Sequence, residues 1–356
     1  MTPEPTAREG ATLAAAALEA WSVALLAASG LEDDAAVIVA HSLVEASLRG
    51  VDSHGVARVP VYTERLRAKL TNGAPRPRVL RRQGALALVD GDQGPGQVAG
   101  VFATSLSMEL AHRHGIGAVA VRRSSHYGSA GYYVMRPARQ GLVAISTTNA
   151  EPLVVPFGGL RQGLGTNPIA LGAPTGAGVF VVDMATSQVA ANRVYNARDE
   201  GRPIPEGWAV DEAGQATTDA AQAYAMLPLG GYKGYGLALL VEILSGVLAG
   251  AGVSHGIGRM YDEWDRPQDV GHFHLALDPE RTVGRERFGQ LLDGLLAELK
   301  ATPPAPGHDE VLVPGEPEER TRRERERSGI PLEPALWASM TALSAELGVA
   351  APGPAL

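Results

Sequence analysis

Apolar residues with helical spacing dominate the amino-terminal part of the chain. They predict three helices, over 11–29, 32–50 and 53–70. Acidic residues open the second segment, where the helix dipole favours them. Pro60 predicts a kink or an early change of register in the third segment. This part of the protein is therefore expected to be helical.

After about residue 75 the pattern changes to short apolar runs separated by glycine-rich turns. A strand over 85–90, a helix over 98–112 and a strand over 116–121 form a strand–helix–strand unit, which indicates an α/β core. Further runs predict a helix over 132–140, strands over 142–147 and 179–183, helices over 237–249, 284–299 and 333–347, and a solvated mixed-charge loop and helix face over 316–327.

Composition narrows the class of protein. The 356 residues give room for two domains or one large one, and 45% hydrophobic with 20% charged residues is an ordinary globular balance. A net charge of −8 argues against nucleic acid as a main partner. The absence of cysteine excludes disulfides, zinc–thiolate sites and cysteine nucleophiles, and fits a cytoplasmic protein. The most apolar runs, 11–29 and 235–253, each contain a glutamate, so no membrane span is expected.

The segment 49–58, R-G-V-D-S-H-G-V-A-R, combines an acid, a hydroxyl, an imidazole and two guanidiniums in ten residues. Asp52 or Ser53 is expected to cap a helix that begins at His54 or Gly55. In that helix His54 and Arg58 would share a face. A proton-transfer group beside a carboxylate-binding guanidinium is typical of an enzyme that acts on a small 2-oxo or 2-hydroxy acid. The alternative is that Arg58 is a surface charge and His54 a local capping residue.

Polar residues recur where predicted strands end, and open α/β sheets bind ligands at such edges. They lie in the segments 124–131, 148–149 and 183–187, and the loop segments 157–159 and 164–168 supply further polar groups. This repeated placement predicts a site that several strand ends form together.

Two glycine-rich turns leave their function open. Gly94–Ala99 fits a permissive G-x-G-x-x-G/A dinucleotide fingerprint, but the next strand ends in Arg122 and Arg123 instead of an acid, so tight-turn glycines are the favoured explanation. The turn 229–236 with Lys233 precedes an apolar helix, where it is either an anion site or a close-packed helix start.

His272 and His274 lie two residues apart, on one face of a strand, a spacing that can bind a metal. No third ligand can be named nearby, so no metal is predicted. A metallohydrolase remains a third-ranked hypothesis.

Taken together, the motifs resemble the malate/L-lactate dehydrogenase family that is unrelated to the Rossmann-type enzymes. That family includes sulfolactate and ureidoglycolate dehydrogenases, diketogulonate reductase and cyclic-imine reductases. Eight motifs occur in the family's order: R-G-V-D-S-H-G-V-A-R, S-S-H-Y-G-S-A-G-Y-Y, V-P-F-G-G, L-G-T-N-P-I-A, D-M-A-T-S, I-P-E-G-W-A-V-D, P-L-G-G-Y-K-G-Y-G-L-A and V-P-G-E.

The resemblance implies an α/β fold with a mixed-sheet, three-layer cofactor domain of non-Rossmann type and a mainly helical domain built from both termini. The expected boundaries are a helical and α/β substrate and dimerisation part at 1–121, completed by 285–356, and an NAD(P)-binding domain at 122–284. It also implies a homodimer with the active site near the subunit interface. Gly94–Ala99 is then not expected to bind phosphate.

The resemblance assigns roles to individual residues. His54 and His126 are the acid/base candidates, and Ser53, Arg58, Thr166 and Asn167 are the substrate-binding candidates. The cofactor-binding candidates are Asn149, Ala150, Asp183, Met184, Ala185, Thr186, Ser187, Lys233, Gly234, Pro314, Gly315 and Glu316. Ala150 replaces a serine often found in the family, which removes one hydrogen bond of about 1 kcal/mol net.

The expected function is NAD- or NADP-dependent hydride transfer to or from C2 of a small 2-hydroxy or 2-oxo acid, of the malate, lactate, sulfolactate or ureidoglycolate type. An alternative within the class is an NADPH-dependent reductase of piperideine- or pyrroline-2-carboxylate. A non-catalytic binding protein on the same fold is a distant alternative. The proton donor among the two histidines stays open, as does the cofactor, although Arg122, Arg123 and Arg193 could meet a 2′-phosphate.

Overall fold

The computed structural model describes residues 10–353. Its helices are α1 (Ala15–Ala28), α2 (Asp33–Leu48), α3 (Val59–Arg67), α4 (Gly96–His114), α5 (Gly131–Arg139), α6 (Ala191–Asp199), α7 (Tyr232–Val241), α8 (Arg285–Lys300), α9 (Glu316–Ser328) and α10 (Pro334–Leu347). Its strands are β1 (Ala11–Leu13), β2 (Arg78–Gln83), β3 (Leu86–Asp90), β4 (Ile116–Ser124), β5 (Val143–Thr148), β6 (Ile169–Thr175), β7 (Gly178–Met184), β8 (Ala209–Val210), β9 (Ala216–Thr217), β10 (Ala225–Met226), β11 (Val270–Leu277) and β12 (Ile330–Leu332).

A seven-stranded mixed sheet forms the centre, in the order β2-β3-β4-β11-β5-β6-β7. Strands β3 and β4 are parallel, as the strand–helix–strand pattern predicts, and the other neighbours are antiparallel. Helices α4 and α5 pack on the sheet, and a π-helical segment, Glu242–Val247, packs against β4, β5 and β11. The expected α/β class with a mixed sheet is therefore confirmed.

The helical part forms a core of its own. Buried side chains of α1, α2, α3, α10 and β12 make one continuous apolar cluster that includes Leu25, Leu43 and Met340. Both ends of the chain thus contribute to one helical layer, as expected, and α2 joins it to the sheet through contacts with α4 and α5.

Two predicted helices have different boundaries in the structure. The segment 11–13 is not helical, because it pairs antiparallel with β12. The predicted helix over 53–70 is also wrong in its first turn: two 3₁₀ turns, Asp52–His54 and Val56–Arg58, precede α3. Neither turn has a side-chain cap. Pro60 does not kink the helix, because it lies in the first turn. Backbone N–H groups of the first turn have no partner within the helix, so the N–H that proline lacks is not missed there.

Several other predictions can be compared with the structure. The helix expected over 237–249 begins at Tyr232 and continues as the π-helical segment. The mixed-charge run is the exposed helix α9. The glycines of the apparent fingerprint are explained by packing, since a Cβ on Gly96 would lie 2.2 Å from the Ser125 carbonyl oxygen.

The domain division at 121/122 and 284/285 stays a prediction. β4 crosses the first of these points, and the sheet is continuous across it. The outermost residues of the expected domains, 1–9 and 354–356, lie outside the described residues. Among residues 10–353, no helix is both long and apolar enough to cross a membrane.

Candidate active site

A cleft of about 600 Å³ is lined by the end of α2, the loop after β4, the end of β7 and the start of α9. Cofactor and substrate sites typically have this size. We refer to its lining residues as the cleft wall.

The turn-rich segment between α2 and α3 supplies one side of the cleft wall. Gly55 leaves no room for a side chain, because a Cβ there would lie 2.1 Å from Ser47 Oγ on α2. This close packing against α2 fixes the two 3₁₀ turns. They bring Ser53, His54 and Arg58 into the same cleft. The expected juxtaposition of imidazole and guanidinium therefore exists, although no shared helix produces it.

The loop after β4 supplies His126. The backbone N–H of Gly128 donates to His126 Nδ1 at 3.3 Å, and the Tyr62 hydroxyl lies 2.6 Å from the same nitrogen. Because a backbone N–H can only donate, Nδ1 is an acceptor and carries no proton. The Tyr62 hydroxyl then donates to Nδ1, and it accepts from Gln97 Nε2 at 3.2 Å. This hydrogen-bond pattern assigns His126 the neutral tautomer with its proton on Nε2.

His54 has a partner of a different kind. Its Nδ1 lies 2.9 Å from Ser53 Oγ, and a hydroxyl can donate or accept, so it accommodates both the neutral and the protonated ring. The rings of His54 and His126 stack, with centroids 5.5 Å apart. Burial and the charge of Arg58 lower the pKa of His54 to about 3 and hold the pKa of His126 well below its usual range. Both rings are therefore neutral at pH 7.

Arg58 is a buried cation, 6% exposed. Its Nε donates to the Ser53 carbonyl oxygen at 2.7 Å, and its terminal nitrogens donate to the Tyr261 hydroxyl and to Asn192 Oδ1, the latter at 3.4 Å. Within residues 10–353, every hydrogen-bond partner of Arg58 is a neutral group. A buried charge without a counter-ion is costly. The site is therefore suited to an anionic ligand.

Most of the predicted site residues belong to the cleft wall: Ser53, His54, Arg58, His126, Asn149, Ala150, Thr166, Asp183, Met184, Ala185, Pro314 and Gly315. The others lie outside it: Asn167, Thr186, Ser187, Lys233, Gly234 and Glu316.

Asp183 and the loop before α9 form the wall farther along β7. The Asp183 carboxylate accepts from the Ser129 hydroxyl and from the backbone N–H of Gly131, both at 2.7 Å. Its side chain is open to the cleft, yet the surrounding protein partly desolvates it, and this raises its pKa. A Cβ on Gly315 would lie 2.7 Å from the Val181 carbonyl oxygen, so the loop lies directly on β7.

Asn167 lies beneath the cleft wall and is fully buried. Its Oδ1 accepts from the Ala150 N–H at 3.2 Å, and its Nδ2 donates to Glu242 Oε2 at 2.8 Å. Asn149 Nδ2 donates to Glu242 Oε1 at 3.3 Å. Glu242 opens the π-helical segment, a rare kind of helix that is frequently found at functional sites. It connects two predicted site residues, and the sequence drew attention to it only as a charge in an apolar run.

The remaining predicted residues have partners away from the cleft. Lys233 is exposed, and Gly234 packs so closely that a Cβ would lie 2.3 Å from the Leu229 carbonyl oxygen. The Thr186 hydroxyl donates to the Thr166 carbonyl oxygen at 3.1 Å. Further bonds join the Ser187 hydroxyl to the Val189 carbonyl oxygen and the Glu316 carboxylate to Lys300 and Arg320.

The two strand histidines have hydroxyl partners. His272 lies between Ser124 Oγ and Thr148 Oγ1, each at 2.8 Å, and His274 Nδ1 lies 3.2 Å from Thr104 Oγ1. Among residues 10–353 no group of three potential metal ligands occurs.

Sequence analysis did not identify Tyr62, Glu151, Tyr261 or Gln268. Tyr62 lies four residues after Arg58, and helical spacing could have indicated it. Glu151 directly follows the predicted residues Asn149 and Ala150, and that position could have indicated it. Tyr261 and Gln268 come from a distant loop, and Gln268 Oε1 accepts from the His126 N–H at 3.2 Å.

The loop before β11 is fixed by Arg65. The guanidinium of Arg65 donates to the carbonyl oxygens of Met260 and Glu263, both at 3.0 Å, and of Arg266 at 3.2 Å. This brings Met260 and Tyr261 into the cleft wall. No periodicity in the sequence encodes that contact.

The cleft thus brings together two neutral imidazoles, a buried guanidinium with neutral hydrogen-bond partners, and carboxylates that include Asp183. Comparison with known proteins identifies the class. The family profile described as malate/L-lactate dehydrogenase matches residues 13–341. The chain therefore belongs to the malate/L-lactate dehydrogenase family, and it is an oxidoreductase that uses a nicotinamide cofactor.

Relatives agree over nearly the whole chain. The malate dehydrogenase of Pyrococcus horikoshii is 38% identical over 342 residues, which cover 93% of this chain and 94% of the relative. The L-sulfolactate dehydrogenase of Methanocaldococcus jannaschii is 39% identical over 322 residues, which cover 90% and 92%.

Solved structures share the fold. The P. horikoshii malate dehydrogenase superposes with a TM-score of 0.89 at 35% identity, covering 99% of this chain and 100% of that one. The Δ1-piperideine-2-carboxylate reductase from Pseudomonas syringae pvar. tomato superposes with a TM-score of 0.83 at 30% identity, covering 93% and 99%.

Proposed function

We propose that the cleft interconverts a small 2-hydroxy acid and its 2-oxo acid, with a nicotinamide dinucleotide as cosubstrate. The observation that carries the proposal is the buried Arg58 with neutral partners only, beside the stacked pair His54 and His126. A guanidinium binds a carboxylate bidentately. That grip fixes C2 of the substrate relative to the imidazoles and to the hydride acceptor.

The residues of the cleft wall fit a dinucleotide. Val181, Met184 and Pro314 offer apolar surface for a planar ring, and the Asp183 carboxylate can accept from ribose hydroxyls. When bound, the nicotinamide exchanges a hydride with C2 of the substrate. The protein's part is to exclude water, to hold the carboxylate at Arg58 and to move the proton of the C2 oxygen.

We assign the transfer of the proton of the C2 oxygen to His54. His126 keeps one tautomer and serves as a hydrogen-bond donor through Nε2. The Ser53 hydroxyl can turn when His54 gains a proton, whereas the Gly128 N–H opposes a proton on His126 Nδ1. In the oxidation direction, neutral His54 takes the hydroxyl proton while the C–H bond breaks. In the reverse direction, the substrate carboxylate offsets the charge of Arg58, which raises the pKa of His54 and favours the imidazolium that donates.

A spectrophotometric assay tests the activity. Oxidation of NADH and NADPH would be followed with pyruvate, oxaloacetate and sulfopyruvate, and ureidoglycolate would be tested in the oxidative direction. We expect turnover with at least one of them. Turnover of none would contradict the proposal.

Comparison of His54→Ala with His126→Ala tests the division of roles. We expect His54→Ala to lower kcat by about 10²–10⁴-fold, the usual contribution of general acid–base catalysis, and to abolish the corresponding limb of the pH–rate profile. His126→Ala should lower kcat less and keep that limb. The reverse pattern would exchange the two roles.

We propose NAD as the preferred cofactor. The cleft wall holds a second carboxylate besides Asp183, Glu318, and its cation Arg49 is engaged by Glu319 at 3.4 Å. Arg123, which could have met a 2′-phosphate, pairs with Asp90 at 3.0 Å. A dianionic phosphate therefore lacks a partner in this wall. We expect kcat/KM for NADH to exceed that for NADPH at least tenfold, and equal values would refute the assignment.

Cyclic-imine reduction is the second candidate, because a solved reductase of that class shares the fold. The same Arg58 grip would then hold the ring carboxylate, with His54 managing the proton on nitrogen. Piperideine-2-carboxylate turnover at a higher kcat/KM than every 2-oxo acid would favour this candidate.

We also propose that the protein is a homodimer. The helical face that continues from α7 exposes Leu240, Ile243, Val247 and Leu248 at 46%, 55%, 62% and 50%. Contiguous apolar surface of this kind is typical of an interface. Light scattering coupled to chromatography should give twice the chain mass, and Ile243→Glu should shift it towards one chain. A single-chain mass for the unmodified protein would contradict the proposal.

A further inference from the structure

Glu151 follows the Asn149-Ala150 pair and lies in the cleft wall with Arg58. Its Oε2 accepts from the backbone N–H of Met260. Met260 Sδ lies 3.9 Å from Arg58 Nη1, and the hydroxyl of the next residue, Tyr261, contacts the same nitrogen. One dipeptide thus anchors the acid and the buried cation at the same end of the cleft.

The charges of the cleft wall provide for one substrate anion. Its cations are Arg49 and Arg58, and Arg49 is already engaged by Glu45 at 3.9 Å and by Glu319 at 3.4 Å. Arg58 remains as the cation of the described wall without an acidic partner. Once Arg58 holds the carboxylate on C1, a second anionic group would find no free cation and would meet Glu151 instead.

The immediate surroundings of Glu151 strengthen this effect. Burial raises its pKa, and the nearby charges of Arg259 and Arg58 oppose that rise. Arg259 is itself engaged by Asp262 at 3.1 Å and does not belong to the cleft wall. Poor solvation at this end means that water screens a repulsion between like charges only weakly. A neutral polar group, in contrast, can donate a hydrogen bond to the Glu151 carboxylate.

We infer that the substrate carries a single negative charge, as a 2-oxo or 2-hydroxy monocarboxylate with an uncharged side chain, and that Glu151 excludes dianionic substrates. This inference rests on the proposed function. It distinguishes the chain's expected substrate from dicarboxylates and sulfonated acids, which bring a second charge.

A pair of substrates that differ by one charge tests the inference on the unmodified protein. Oxaloacetate and its 4-amide, 2-oxosuccinamate, have the same number of non-hydrogen atoms, and pyruvate serves as a third monoanion. At pH 8 with saturating NADH, we expect kcat/KM for the amide to exceed that for oxaloacetate at least tenfold. Equal or faster turnover of oxaloacetate overturns the inference alone. When none of the three is turned over, the proposed function fails only if sulfopyruvate and ureidoglycolate are not turned over either, whereas turnover of sulfopyruvate without any monocarboxylate overturns the inference alone.

Glu151→Gln tests the residue. The glutamine oxygen can still accept from the Met260 N–H, so the loop keeps its anchor while the charge is lost. We expect the preference for the amide over oxaloacetate to fall at least fivefold, mainly through a lower KM for oxaloacetate. Asp265→Asn removes an exposed carboxylate from the same loop outside the cleft wall and should leave the ratio within twofold. An unchanged ratio in Glu151→Gln overturns the assignment, and the comparison of substrates stands even where this variant does not fold.

Discussion

His274 offers a quantitative test of the structure, because the fold keeps this histidine neutral. Its side chain is 2% exposed, its Nδ1 meets Thr104 Oγ1 at 3.2 Å and Ser146 Oγ at 3.4 Å, and its Nε2 has no partner among the described residues. Burial lowers its pKa to about 3. Replacement by glutamine removes the titrating group and leaves an amide that can still bond to the hydroxyls.

The sign and the size of the effect follow from proton linkage. In the unfolded chain a histidine titrates near pH 6.5, so between about pH 6.5 and 3 the unfolded state binds a proton that the folded state does not. The free energy of unfolding therefore falls as the pH drops, by about 1.4 kcal/mol per pH unit for this one residue. Between pH 6 and pH 4 the loss amounts to about 2.5 kcal/mol.

Urea unfolding at a fixed protein concentration and at pH 4, 5, 6 and 7 measures this dependence. His274→Gln should be less stable at pH 7 than the unmodified protein but should lose about 2.5 kcal/mol less between pH 6 and pH 4. His308→Gln, at an exposed position, is the matched control and should run parallel to the unmodified protein. Parallel curves for His274→Gln as well would refute the burial of a neutral imidazole at this position.

Three further variants test the site. Arg58→Gln should raise the KM for the substrate acid about 100-fold, because a charge-assisted bidentate contact is lost. An unchanged KM in steady-state kinetics would contradict the binding of the substrate carboxylate by Arg58. Tyr62→Phe removes one donor to His126 Nδ1 and should lower kcat about tenfold and the free energy of unfolding by about 1 kcal/mol. An unaltered kcat would mean that the Tyr62 hydroxyl is not needed to fix the tautomer of His126. Glu242→Gln places an amide N–H against Nδ2 of Asn149 or Asn167, which both donate to the Glu242 carboxylate. The free energy of unfolding should therefore fall by about 2 kcal/mol, and the KM for NADH should rise. If neither the free energy of unfolding nor the KM changes, Glu242 does not position these two residues of the site.

Patterns within short stretches determined much of the fold. Apolar spacing located α2, α4, α8 and α10 to within a few residues, because an amphipathic helix carries its periodicity in consecutive residues. The strand–helix–strand unit around 85–121 gave the α/β class for the same reason. Motif similarity to the dehydrogenase family reached further, since it named candidates such as His54, Arg58, His126 and Asp183 before any contact was known.

Tertiary structure decided what depends on residues far apart in the chain. β1 exists because Ala11–Leu13 pairs with a strand more than 300 positions later, and this pairing outweighs a helical pattern in an alanine-rich segment. His54 and Arg58 lie in two 3₁₀ turns packed against α2. The sequence therefore predicted correctly that the two side chains are neighbours, but the single helix that it predicted for them is wrong.

The chemical state of each site residue was also decided by tertiary structure. The tautomer of His126 depends on Tyr62 and on the backbone of Gly128, and the surroundings of Arg58 depend on a loop that Arg65 holds. The charge available to a ligand in the cleft depends on ion pairs within the protein: Arg49 is paired with Glu45 and Glu319, whereas Arg58 has neutral partners. The sequence determined which functional groups are present. Only folding determined which of them remain free to bind, because burial and hydrogen bonding are properties of the assembled structure.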